Sequence, residues 1–142
     1  MKRKIIAIIL LIAGVFIFLC SKGLRHSEWG ARQYLYLHQE EIEEFALACL
    51  AGEGADTYNG WDVDCYKENG QVEFLVSGFG LGPSTSYKGI YYSVSDNPLG
   101  FQGANVDFTA YKDGWIWKES GGDNWQYTER IFANLFWFEA YF

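Results

Sequence analysis

The sequence predicts an α+β protein: an N-terminal transmembrane helix, one amphipathic helix, and a twisted antiparallel sheet of about five to seven strands on which that helix packs. Three observations predict it. The chain opens with a basic and then an uncharged apolar block, the apolar period is 3.6 residues over 28–51, and it shortens to 2 from Trp61 onward.

Lys2-Arg3-Lys4 precedes residues 5–20, sixteen positions without a charge. As a helix these span about 24 Å, a deficit that snorkelling of Lys4 and Lys22 and local thinning of the bilayer can cover. Residues 1–20 therefore read as a signal anchor that meets the membrane through 5–20. Two other readings stay open: cleavage at the small-residue pattern Ser21-Lys22-Gly23, and lipidation at Cys20, to which the bulky residues 16–19 are poorly suited. The basic N-terminus places itself in the cytoplasm and the remaining chain outside, a bias diluted by Lys22 and Arg25. Glycines 23 and 30 argue against one continuous helix, so 21–27 reads as a short tether and 28–142 as a single extracytoplasmic domain.

Within that domain Leu35, His38, Ile42, Phe45 and Cys49 recur at helical steps, with Glu40, Glu41, Glu43 and Glu44 mostly opposite. Ser27 is the expected N-cap and Gly52 the left-handed C-terminal residue, followed by a loop over 52–60. Trp61, Val63 and Cys65 alternate with Asp62 and Asp64; Asn69-Gly70 then turns the chain into Val72, Phe74 and Val76. Further alternation covers Ile90 to Val94, Val106 to Ala110, 115–118 after the Asp113-Gly114 turn, Trp125 to Ile131, and 136–142. A cystatin-like or similar helix-in-sheet roll is the economical way to cover one helix face.

The formal charge of −7 conceals an asymmetry: from His26 onward six basic residues face eighteen acidic ones. A domain so acidic repels phosphate backbones, which disfavours nucleic acid as a partner. Its apolar fraction of 49% excludes disorder.

Little in the sequence points to catalysis. Only His26 and His38 exist, too few for a histidine-centred triad or a multi-histidine metal site. The run Gly78-Phe79-Gly80-Leu81-Gly82-Pro83 leads into a strand, not a helix, so it reads as a bend or bulge and implies no cofactor. Asp56, Asn59, Asp62 and Asp64 miss the spacing of a calcium loop, and Asp62 and Asp64 are explained by the solvent face of a strand, so no metal is expected. Cys49 and Cys65 fall on apolar faces that meet in one core, where they either form a disulfide or remain two reduced thiols.

Aromatic residues make up 19% of the chain, more than one sheet face can absorb. Tyr87, Tyr91, Trp115, Trp117 and Trp125 are accordingly the candidate binding residues, since flat rings give large contact area at small entropic cost. The alternative is that they cover a sheet face beneath loops.

The stretch Tyr87-Lys88-Gly89-Ile90-Tyr91-Tyr92-Ser93 and the ending from Gly122-Asp123-Asn124-Trp125 to Phe136-Trp137-Phe138-Glu139-Ala140-Tyr141-Phe142 resemble uncharacterised short membrane-anchored proteins of Gram-positive bacteria. The resemblance implies a cell-envelope location and no site. The expected function is that of a membrane-anchored, non-catalytic envelope protein whose acidic, aromatic-rich domain binds a protein partner. Two alternatives are a cell-wall or carbohydrate-binding module using exposed Trp and Tyr, and a small hydrolase using carboxylates such as Asp62, Asp64 or Glu73.

Overall fold

The computed structural model describes residues 2–81 and 83–142, with side chains at 2–5, 7, 16–19, 22 and 81 outside the described set. Helix α1 (Lys2–Arg25) continues through Gly23, so most of the expected tether is helical. The chain breaks only at His26 and Ser27, because the Ser27 hydroxyl accepts from Gly30 N–H at 3.1 Å and caps helix α2 (Glu28–Leu37). Among the described residues no helix is long and apolar enough to cross a membrane. Several side chains of the apolar run, those of Ile5, Ala7 and residues 16–19, lie outside that set.

The single helix expected over 28–51 is two. Backbone at His38 leaves helical geometry (φ −131°, ψ 29°), and helix α3 (Gln39–Ala51) starts beyond it with Glu40 and Glu41 in its first turn, where carboxylates favour a helix N-terminus. The His38 ring stacks on Tyr34 at 4.2 Å and its Nδ1 lies 3.1 Å from Glu41, which holds the corner. Breaking there lets α2 bury Ala31 and Leu35 while α3 buries Ile42, Ala46 and Cys49 over a different part of the sheet. Gly52 ends α3 at φ 90° as expected.

The strands are β1 (Thr57–Tyr58), β2 (Trp61–Tyr66), β3 (Gln71–Leu81), β4 (Ser84–Ser93), β5 (Thr109–Tyr111), β6 (Gly114–Lys118), β7 (Trp125–Phe132) and β8 (Leu135–Tyr141). They form one antiparallel sheet of eight, ordered β1-β2-β3-β4-β8-β7-β6-β5, one strand more than the upper expectation. The missed strand is β1, joined to β2 through Asn59 (φ 52°) and Gly60 (φ 80°), the dipeptide that suits a two-residue hairpin. Asn69-Gly70 instead closes a longer loop with a 3₁₀ turn over Lys67–Asn69. Val106 and Phe108, expected in a strand, precede the short β5, and Val94 falls outside β4.

Two cores sandwich the sheet. On one face α2 and α3 pack over Trp61, Val63, Val72, Phe74, Val76, Ile90, Tyr92, Leu135 and Trp137. On the other, Tyr91, Phe101, Phe136, Phe138 and Ala140 form a second cluster with Leu75, Leu99 and Trp115. Central strands β4 and β8 are thus buried on both sides, which is why Ile90-Tyr91-Tyr92 and Leu135-Phe136-Trp137-Phe138 read as continuous apolar runs. Cys49 and Cys65 belong to the first cluster as free thiols, both with pKa raised by burial.

Gly89 on β4 sits tight against the backbone of β3 and the Phe138 ring of β8. A Cβ there would run into the Phe74 carbonyl and the Phe138 ring edge. Gly89→Ala should lower unfolding free energy by about 1–3 kcal/mol, the usual cost of overpacking, in urea titration monitored by tryptophan fluorescence. An unchanged midpoint would show that the Phe138 ring and the β3 backbone can give way at this point.

Candidate functional site

A strap over residues 94–108, containing almost no regular structure, covers the second face. At its middle Gly100 and Phe101 are buried, and side chains of the sheet satisfy the peptide groups around them. Tyr91 hydroxyl accepts from Leu99 N–H (3.1 Å), while Gln126 accepts from Phe101 N–H (2.7 Å) and donates to Leu99 O (3.1 Å). Gln71 donates to Gly100 O (3.1 Å) and to Glu73 (2.9 Å), and the same Glu73 oxygen accepts from Gln102 N–H (2.7 Å). Asp96 ties the near end of the strap to Arg130 at 3.2 Å.

Glu73 thus links the sheet to the strap. Burial pushes its pKa up to about 8, partly opposed by the Gln102 N–H and reinforced by Asp64, its cross-strand partner on β2; Tyr66 beside it is raised to about 12 by burial. Asp62 and Asp64 are exposed, and Asp64 is the one that lies directly across the strand pair from Glu73. Among the described residues no group of three or more His, Cys, Asp or Glu side chains could hold a metal ion.

The five candidate aromatics do not form one site. Tyr91 is wholly buried, its hydroxyl 2.8 Å from Thr128 Oγ1, and it stacks on Phe136, because β4 is covered on both faces. Tyr87 and Trp117 line a groove of about 410 Å³ beside the strap, where Tyr87 stacks on Phe101 at 4.9 Å. Trp115 is half-buried against Phe136 with the Arg130 guanidinium over its ring. Trp125 lies on the opposite face, in a groove of about 450 Å³ with Tyr111, Lys112, Ile116, Lys118, Tyr127 and Glu139.

A third feature is a sheet edge. Strand β2 pairs with β3 only as far as Leu75, and a bulge follows between Leu75 and Ser77. His26 Nδ1–H donates to Val76 O at 2.8 Å, and beyond it residues 77–81 have β4 on one side and no strand on the other among the described residues. Phe79 in this stretch is 66% exposed. The sequence signal was present, since 74–87 contains no charged residue, but the glycines directed attention to a bend.

Fold and surface define an α+β domain with a two-faced antiparallel sheet, led by an apolar helix and offering grooves and an open edge. Comparison with protein-family models, curated proteins and solved structures finds no match.

Because Glu73 has a folded-state pKa above its ordinary 4.5, folding takes up a proton between about pH 4.5 and 8. The associated stability is full below that window and falls as pH rises through it, with a slope approaching 1.4 kcal/mol per pH unit, roughly, for one proton. Glu73→Gln should flatten this slope in urea titrations between pH 5 and 8. An unaltered slope would assign the proton uptake elsewhere.

Proposed function

We propose that this chain is a membrane-anchored, non-catalytic protein whose C-terminal domain lies outside the cytoplasm and binds a protein partner by strand addition at the free edge of β3. The edge is the observation that carries the reading. Exposed strand edges template pairing, and proteins usually blunt them with charge, proline or shortness. The opposite edge is blunted in this way: β5 has three residues and is followed by Lys112 and Asp113. Residues 77–81 have no such protection, and in a domain this acidic their neutral setting is where another chain meets least repulsion. An extended partner segment would supply main-chain hydrogen bonds to the edge and a pocket for Phe79.

Anchoring is supported by the surface of α1. Ile6, Ile8, Ile9, Leu10, Leu11, Ile12 and Val15 are all exposed, and nothing packs within 4 Å of where side chains at Gly14 or Gly23 would begin. Such a helix needs lipid or another apolar cover. Leu24, Trp29 and Leu37 continue the exposed apolar surface onto α2, where Trp29 would lie at the headgroup level preferred by tryptophan.

The anchor reading requires that the full chain stay in membranes through carbonate washing and that external protease reach 28–142. Release into the supernatant would remove it. The edge reading predicts that amides 77–81 exchange at least tenfold more slowly in native membranes than in purified full-length protein. Phe79→Lys should abolish that protection without changing the melting temperature; equal exchange rates in both settings would refute strand addition.

A further inference from the structure

We propose that the Trp125 groove is a second binding site, for an acidic glycan: a sugar ring stacks on the aromatic wall while Lys112 and Lys118 hold its carboxylate or phosphate. The inference rests on neither the anchoring nor the strand-addition reading. It starts from how the domain distributes its few positive charges. Of the six basic residues in 28–142, Arg32 is paired with Glu28 and Glu129, Lys88 with Glu139, and Arg130 with Asp96. Lys67, Lys112 and Lys118 are in no ion pair among the described residues; Lys67 lies in the turn after β2, whereas Lys112 and Lys118 both line this one groove.

The two lysines arrive from different places. Lys118 ends β6 directly opposite Trp125 on β7. Lys112 sits in the β5–β6 turn at φ 50°, a left-handed conformation that suits glycine or asparagine far better than lysine. This backbone places its ammonium over the Tyr111 ring at 5.1 Å, on the groove rim. A strained lysine held against an aromatic wall is the kind of local cost that functional sites retain.

Two of the acidic groups near the groove are held by cations, while Asp113, Glu119 and Asp123 in the flanking turns are in no ion pair among the described residues. Glu139, which lines it, is neutralised by Lys88 at 3.1 Å, and Glu129, near the Tyr127 hydroxyl, is held by Arg32. Asp113 in the turn is the remaining acid close to Tyr127. The net charge of the domain therefore does not describe this surface, because charges beyond about 8–10 Å are screened at physiological salt.

The apolar lining specifies rings. Trp125 lines the groove and stacks on Tyr141 behind it (14° between rings), Tyr127 stands edge-on to Tyr111, and Ile116 completes the apolar lining. The C–H face of a sugar fits this surface and its hydroxyls fit the groove's polar groups. Lysine, a compact point charge, accepts a carboxylate or a phosphate equally well.

The test titrates the full chain in phosphatidylcholine nanodiscs with four probes: a hexagalacturonate, a phosphorylated maltohexaose, neutral maltohexaose and a hexaglutamate peptide. Binding of one or both acidic sugars, weakening as salt rises from low to high concentration, is expected, and the two sugars distinguish carboxylate from phosphate. Lys112→Gln combined with Lys118→Gln should weaken it at least tenfold, with near-ultraviolet circular dichroism unchanged. Lys112→Asn should raise the melting temperature by relieving the turn and still weaken binding. The proposal is overturned if neither acidic sugar binds, if neutral maltohexaose or hexaglutamate binds as tightly, or if the lysine variants bind normally.

Discussion

The organising constraint is that the middle of the strap, around Gly100 and Phe101, must bury peptide groups without belonging to any strand. An unpaired buried N–H or C=O costs as much as a lost hydrogen bond, so the sheet beneath must present side-chain amides, a phenol and a carboxyl at matching places. Gln71, Glu73, Tyr91 and Gln126 do so from β3, β4 and β7. That requirement explains why Gln71, Glu73 and Gln126, polar positions near the starts of β3 and β7, are buried. It also explains why a carboxyl tolerates burial: neutral at the lower end of the physiological range, Glu73 serves the strap without an ion pair.

Once the second face is closed, the aromatic surplus acquires an address. Tyr91, Phe136 and Phe138 go inward beneath the strap, while Trp61 and Trp137 pack under the helices with Arg32 over the Trp137 ring. On the sheet itself the accessible rings lie toward its margins, where the cover on each face runs out; Trp29 and Tyr36 are exposed on α2. The two grooves and the open edge are consequences of that incomplete cover.

The α+β class, the Ser27 and Gly52 caps and most strands were legible because each rests on local chemistry: a hydroxyl that accepts, a glycine that tolerates positive φ, a period of two. The corner at His38 was not, since no glycine or proline marks it and its cause is the different course of the sheet under α2 and α3. Asn59-Gly60 carried a hairpin signal that was hidden by the brevity of β1. Tyr91 could not be separated from Tyr87 by sequence, because alternation distinguishes faces and does not say that both are covered. Lys112 gave no sign of its backbone strain, which arises only when β5 and β6 pair.

The join between α1 and the sheet has a mechanical meaning. Arg25 O accepts from Trp61 Nε1–H at 2.9 Å and His26 is tied to Val76, so both residues next to the end of α1 are fastened to the domain. With the proposed anchoring, almost no slack separates bilayer from sheet, and the domain cannot search the space above the surface as a tethered module would. Its accessible volume is a thin layer about one domain deep. Anything it captures must already be close to the lipid, or be long enough to reach down to it.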